Sequence, residues 1–141
     1  MPLLSIVVAS EGREELYYTL LSVTHQMRGM DELIILINKR IPKIRKLVIE
    51  AIGLAGFYYE LPEDKPARLW ATEYSSGART IILGDGDLLV PGALDKVRDI
   101  AHEYHEEHIS FRNQFVFSSH NPDSKYIEID DSISINPWYT S

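Results

Sequence analysis

Short apolar segments without polar alternation recur along the chain, and longer segments with apolar residues every three or four positions separate them. The short segments run over 3–9, 32–37, 57–61 and 80–83. Segments of this kind are typical of strands that are buried on both faces of a parallel sheet. The periodic segments predict helices over 14–27, 42–54, 67–75 and 92–107.

The rest of the chain predicts two further strands, over 109–117 and 126–129, whereas 132–141 has no clear pattern. Strands that alternate with helices predict an α/β fold, in which a mostly parallel sheet has helices on both faces and forms three α/β/α layers. The length of 141 residues fits one ordinary domain, and we expect residues 1–141 to form it.

Polar side chains follow several of the predicted strands, at the point where each strand ends. Ser10 and Glu11 follow the first strand, and Asn38 follows the second. Asp85 and Asp87 follow the fourth. Because ligands of open parallel sheets bind beyond the carboxyl ends of the strands, these residues are the first candidates for a binding site.

The sequence Asp85-Gly86-Asp87 carries the strongest chemical signal among these candidates. Two carboxylates on one turn can share a hard cation such as Mg²⁺ or Mn²⁺. Gly86 lets the backbone bend and lets a ligand come close. The same three residues also occur in many ordinary turns, so the turn by itself favours a structural role.

The composition restricts the classes of function. The chain carries 21 acidic and 14 basic residues, a net charge of −7, which argues against general nucleic-acid binding. It contains no cysteine, which excludes disulfides, thiolate catalysis and Cys-ligated zinc. No apolar run approaches the roughly 20 residues that cross a bilayer. The N-terminus has no signal-peptide pattern, so we expect a cytoplasmic protein.

The segment from Ala67 to Leu94 resembles the family two glycosyltransferases of the GT-A fold. It contains an Ala-Arg helix start, a turn at Gly77, a strand that ends in the acidic turn, and Leu-x-x-Pro-x-x-Leu beyond it. The first two strands are similar to those of the family as well, so the resemblance covers residues 3–100. It implies a nucleotide-sugar-binding half over 1–100 and a shortened acceptor-side part over 101–141.

The resemblance implies a site for a nucleotide-diphospho-sugar, with a UDP-sugar as the first expectation, and a Mn²⁺ or Mg²⁺ cofactor. In this assignment Asn38 pairs with a pyrimidine edge, for which its amide offers a donor and an acceptor. Arg68 lies beside the diphosphate. The cation is held by Asp85 and Asp87, and it neutralises the diphosphate as the sugar bond breaks. The residues implied to line the donor are Ala9, Ser10, Glu11, Asn38, Arg68 and Asp85.

The implied activity is metal-dependent transfer of a sugar to an unknown acceptor. The family's catalytic base lies in an acidic pair, and the local candidates are Asp130 and Asp131, after the last predicted strand. Few residues follow the acidic turn, which keeps open a non-catalytic nucleotide-sugar-binding or assembly module, or a homo-oligomer in which a second copy completes the site. A nucleotidyltransferase ranks below these, because 10–13 is a poor phosphate-binding loop.

Overall fold

The computed structural model describes residues 4–37, 56–60, 74, 79–103, 108–112, 114–118 and 126–138. The predicted helices over 42–54 and 67–75 lie outside these residues, except that Tyr74 is helical. The helices of the described residues are α1 (Leu16–Thr24) and α2 (Ala93–Glu103), and neither is long and apolar enough to span a membrane. The strands are β1 (Leu4–Ser10), β2 (Glu32–Ile37), β3 (Gly56–Glu60), β4 (Arg79–Gly84), β5 (Leu88–Leu89), β6 (His108–Phe111), β7 (Phe115–Ser118), β8 (Tyr126–Ile129) and β9 (Ser134–Ile135).

Seven strands of the described residues form one sheet, in the order β3-β2-β1-β4-β7-β6-β8. β1 runs parallel to β2 and β4, β2 runs parallel to β3, and β6 runs parallel to β8. Only β7 in this sheet is antiparallel to its neighbours, β4 and β6. The sheet is therefore mostly parallel, which confirms the predicted fold class. The carboxyl ends of β1, β4 and β8 lie along the same edge.

Apolar side chains cover both faces of the sheet, because alternate residues of a strand point to opposite faces. On one face, even-numbered residues of β1 and odd-numbered residues of β2 pack with Leu20 of α1 and Val97 of α2 in the larger core. On the other face, Val7 and Ile34 belong to a smaller cluster, against which Tyr74 packs. Helical residues thus contact both faces, as the pattern of fully apolar strands predicts.

The single strand predicted over 109–117 is wrong, because two antiparallel strands occupy this range. The Phe111 N–H donates to the Gln114 carbonyl oxygen over 2.8 Å, which closes a tight turn between β6 and β7. The Gln114 side-chain amide donates to the Ile82 carbonyl oxygen over 2.8 Å and fixes the turn against β4. The polar residues at this turn interrupt the apolar run, and they mark the reversal of the chain.

One strand of a second, two-stranded sheet lies within 132–141, where the sequence shows no pattern. β9 pairs antiparallel with β5, so that Ile135 lies opposite Leu88. The Val90 N–H donates to the Ile133 carbonyl oxygen over 2.9 Å and extends this pairing. A strand of two residues is too short to show a period of two, which is why it was not predicted. The pairing returns the chain to the loop that follows β4.

A buried ion pair attaches α2 to the loop before β2. Arg98 of α2 contacts Asp31, and the Asp31 side chain is fully buried. Asp31 also accepts a hydrogen bond from the Arg28 N–H over 2.9 Å. A second nitrogen of Arg98 donates to Asp95 over 2.7 Å. Because a buried charge without its partner is costly, this pair fixes α2 against the sheet.

We expect Arg98→Met to lower the free energy of unfolding by about 3 kcal/mol, because it leaves the Asp31 carboxylate buried without its partner. Arg28→Met is the matched control. Arg28 pairs with Asp95, but their side chains are 65% and 58% exposed, and exposed pairs contribute about 0–1 kcal/mol. Urea unfolding followed by circular dichroism measures both variants. Equal losses would contradict the importance of the buried pair.

Candidate functional site

The acidic turn, residues 85–87, follows β4 at the carboxyl edge of the sheet. Gly86 has a φ of +88°, a backbone conformation that residues with a Cβ rarely adopt. The Asp87 N–H donates to the Gly84 carbonyl oxygen over 3.1 Å, and the Gly84 N–H donates to Asp87 Oδ2 over 2.8 Å. The Asp87 carboxylate thus caps the end of its own strand and fixes the shape of the turn.

The loop after β1 is attached to the acidic turn through Asp85. Asp85 Oδ2 accepts hydrogen bonds from the backbone N–H groups of Glu11 and Arg13, over 2.8 and 3.4 Å. Ala9 lies opposite Gly84 in the pairing of β1 with β4. The structure therefore brings the candidate residues that follow β1 and β4 together at one place on the edge.

Asp85 combines burial with an unpaired oxygen. Burial raises the pKa of the Asp85 carboxyl above its ordinary value, and the nearby Ser10 hydroxyl and the hydrogen bonds from the loop amides oppose this shift. Asp85 Oδ1 is buried and has no hydrogen-bond partner among the described residues. A buried oxygen in this state is costly unless another group satisfies it. Asp85 therefore fits a site that a ligand completes.

Three polar side chains of α1 and its C-terminal end hold the loop between β4 and α2. Thr19 Oγ1 accepts a hydrogen bond from the Gly86 N–H over 2.8 Å, and Ser22 Oγ accepts one from the backbone of β5 over 3.1 Å. Gln26 bonds to backbone groups of residues 90–94 over 2.8 and 3.1 Å. Their spacing of three and four places them on one helix face. They were not predicted, because polar residues at this spacing usually face solvent.

Residues that follow β9 pack over the acidic turn. Asn136 Nδ2 donates to Asp87 Oδ1 over 2.9 Å and to the Asp85 carbonyl oxygen over 3.3 Å. Asn136 Oδ1 accepts a hydrogen bond from the Trp138 N–H over 3.1 Å. The Trp138 ring stacks on Tyr18, with the ring centroids 5.4 Å apart. Asn136 was not predicted as a site residue, because no periodicity marks this part of the sequence.

The two candidate bases lie on the same edge of the sheet, in ion pairs of their own. Asp130 contacts the exposed Arg112, and Asp131 contacts Lys96 of α2. The hydrogen bond from Lys96 lowers the pKa of the Asp131 carboxyl. β8 is three strands from β4, which places the pair roughly 14 Å to the side of the acidic turn. The catalytic role of Asp130 and Asp131 stays a prediction.

The described residues also bear on the predicted cation. Asn38 and Arg68 lie outside them, and within them no group of three His, Asp or Glu side chains forms a ready-made metal site. Asp85 and Asp87 nevertheless fit a hard cation, which prefers oxygen ligands. Asp85 Oδ1 is unpaired. Each Asp87 oxygen accepts one hydrogen bond, which leaves a second lone pair for a ligand.

Solved structures are similar to this chain, although no protein-family model and no curated protein matches it. TarS from S. aureus aligns with a TM-score of 0.64 at 15% identity, over 79% of this chain and 21% of TarS. The mannosyltransferase PcManGT from Pyrobaculum calidifontis, in complex with GDP-Man and Mn²⁺, aligns with a TM-score of 0.66 at 14% identity, over 77% and 35% of the two chains. Glucosyl-3-phosphoglycerate synthase from Mycobacterium tuberculosis, in complex with Mn²⁺, UDP and phosphoglyceric acid, aligns with a TM-score of 0.61 at 12% identity, over 84% and 56%.

These neighbours are glycosyltransferases of the GT-A type, and the likeness confirms the GT-A α/β fold for this chain. At identities of 12% to 15%, structural likeness establishes the fold alone. The chain spans between 21% and 56% of the length of the three neighbours.

We expect the Asp131 carboxyl to titrate below the ordinary range of an aspartate, because Lys96 stabilises its charged form. The ion pair therefore stabilises the fold above the ordinary pKa, and this contribution is lost as the pH falls through the lowered pKa. Carboxyl NMR titration measures the midpoint. Lys96→Met should move it upward, whereas an unchanged midpoint in this variant would contradict the assignment.

We expect Gly92→Ala to cost about 1 kcal/mol of stability, because Gly92 has a positive φ but open space around a Cβ. Gly86→Ala should cost roughly 1–2 kcal/mol more. A Cβ at Gly86 would lie 3.1 Å from Asn136 Oδ1 and 3.3 Å from the Trp138 ring. Chemical unfolding compares the two variants. Equal losses would mean that the residues after β9 do not pack on the turn.

Proposed function

We propose that the chain binds a nucleoside-diphosphate sugar at the carboxyl edge of β1 and β4, with Mn²⁺ or Mg²⁺ at the acidic turn, and transfers the sugar to an acceptor. The observation that carries this proposal is the buried, unpaired Asp85 Oδ1, next to the exposed Glu11 and Arg13. Ligands of parallel α/β sheets bind at this edge. An unsatisfied carboxylate there favours a ligand that brings a cation.

The ligands of the structural neighbours support this class of donor. The mannosyltransferase structure contains GDP-Man and Mn²⁺, and the phosphoglycerate synthase structure contains UDP and Mn²⁺. A TarS structure also contains UDP. For this chain, a UDP-sugar is the first donor to test, because Asn38 occupies the position that the family resemblance assigns to the pyrimidine ring.

In the proposed site, Asp85 and Asp87 hold the cation, and the loop after β1 orients them. A cation held there would neutralise negative charge on the diphosphate leaving group. The backbone N–H groups of Glu11 and Arg13 hold Asp85 Oδ2, which leaves the buried Oδ1 as the oxygen without a partner. The Arg13 side chain is 68% exposed and lies 3.8 Å from the Glu11 carboxylate, so an anionic donor that replaces this contact would gain its positive charge.

Asp130 and Asp131 are the proposed acceptors of the proton that the acceptor hydroxyl loses. An open cavity of about 420 Å³ is lined in part by Asp130, Arg112 and Glu128. The lowered pKa of Asp131 keeps it ionised and makes it a weak base while Lys96 is bound. Acceptor binding that displaces Lys96 would strengthen Asp131 as a base.

A non-catalytic module that binds nucleotide-sugars is the second candidate function. Both candidate bases are held in ion pairs, Asp130 with Arg112 and Asp131 with Lys96, which favours this reading. Such a module would bind donor and cation at the acidic turn and would leave the sugar bond intact. Donor binding without transfer or donor hydrolysis, over a wide acceptor panel, would select it over the transferase.

Isothermal titration calorimetry with UDP, GDP and UDP-sugars, with and without Mn²⁺, tests the proposed donor site. We expect Mn²⁺-dependent binding that Asp85→Asn or Asp87→Asn weakens at least about tenfold, because each variant removes a charged oxygen ligand and keeps the side-chain shape. Asp99→Asn, on the exposed face of α2, makes the same charge change away from the site. Failure of the unmodified chain to bind any nucleoside diphosphate would overturn the proposal.

A further inference from the structure

Asn136 makes three hydrogen bonds that together define the orientation of its amide. Its Nδ2 donates to Asp87 Oδ1 and to the Asp85 carbonyl oxygen, while its Oδ1 accepts the Trp138 N–H. A flipped amide would set its oxygen against two oxygens and its nitrogen against an N–H group. The donor end of Asn136 therefore faces the acidic turn.

The chain holds Asn136 over the turn from several directions. On its N-terminal side, Ile133 is fully buried and its carbonyl oxygen accepts the Val90 N–H over 2.9 Å. On its C-terminal side, the Trp138 ring stacks on Tyr18 at 25° between ring planes. Below it, Gly86 has no Cβ, and an added Cβ would lie 3.1 Å from Asn136 Oδ1. Contacts with three separate parts of the chain thus hold the Asn136 side-chain amide in place.

Asn136 and the Gly84 N–H together hold both oxygens of one carboxylate. Asp87 Oδ2 accepts the Gly84 N–H over 2.8 Å, and Asp87 Oδ1 accepts Asn136 Nδ2 over 2.9 Å. A carboxylate bonded at one oxygen can still rotate about its terminal torsion, whereas bonds at both oxygens fix its plane. Groups that orient a metal ligand in this way typically change metal affinity 10–100-fold when they are removed.

We propose that Asn136 is the positioning residue of the acidic turn: it fixes the plane of the Asp87 carboxylate so that the turn presents a preorganised pair of oxygens to a divalent cation. This inference rests on the proposed function, since it concerns the same cation site. It assigns to the residues after β9 a direct part in building that site. Asn136 acts through Asp87 and need not contact the donor.

Mn²⁺ binding followed by electron paramagnetic resonance, in the presence of UDP, tests this role without any activity measurement. We expect Asn136→Ala to weaken Mn²⁺ binding about 10–100-fold. Ile135→Thr is the matched control, because Ile135 is the neighbouring residue, is 56% exposed and stays β-branched in the variant. It should bind Mn²⁺ as the unmodified chain does, and thermal unfolding checks that both variants are folded.

The Trp138→Ala variant distinguishes positioning of Asp87 by the Asn136 amide from a general attachment of the residues after β9 to the turn. It removes the stack on Tyr18 but keeps the Asn136 side chain and the N–H that Asn136 accepts. A much smaller loss of Mn²⁺ affinity than in Asn136→Ala supports positioning by the amide. Equal losses in the two variants, or unchanged affinity in Asn136→Ala, overturn the inference and leave the donor site in place. No Mn²⁺ binding by the unmodified chain overturns both.

Discussion

The candidate site depends on which groups form hydrogen bonds with the backbone of the loop after β4. This loop leaves the sheet, so its N–H and carbonyl groups lose the partners that a strand would provide, and buried groups of this kind need new ones. The side chains of Thr19 and Ser22 in α1, and of Gln26 after it, supply these hydrogen-bond partners. Thr19 accepts the buried N–H of Gly86. The packing of α1 on the sheet therefore sets the position of the acidic turn. Helix α1 therefore positions the candidate site through these hydrogen bonds as well as through its apolar contacts with the sheet.

The strands could be predicted where burial dominates their sequence. β2 and β8 begin and end where the apolar pattern places them, over 32–37 and 126–129, and β1, β3 and β4 each differ by one residue at either end. The pattern reports burial but not pairing direction, so the reversal between β6 and β7 was missed. β9 was missed as well, since pairing with β5 and not burial of a periodic face makes it a strand.

Part of the candidate site follows from topology, and part does not. Residues after β1 and β4 meet because parallel neighbours end at the same edge, and this could be inferred once the strands were assigned. No comparable rule of sheet topology predicts the contact of Asn136 with Asp87. It joins residues 49 positions apart through a short strand and a single side chain, and neither leaves a local signature.

The acidic turn is complete only when two contacts between distant residues have formed, Gly86 with Thr19 across 67 positions and Asp87 with Asn136 across 49. Contacts between distant residues form after local ones, because the intervening chain must first lose the entropy of an open loop. A folding chain with β1, α1 and β4 in place but β9 still unpaired holds Asp87 at one oxygen only. The acidic turn then reaches its final geometry in a late step. A ligand that prefers this geometry draws the folding equilibrium toward the finished molecule by mass action.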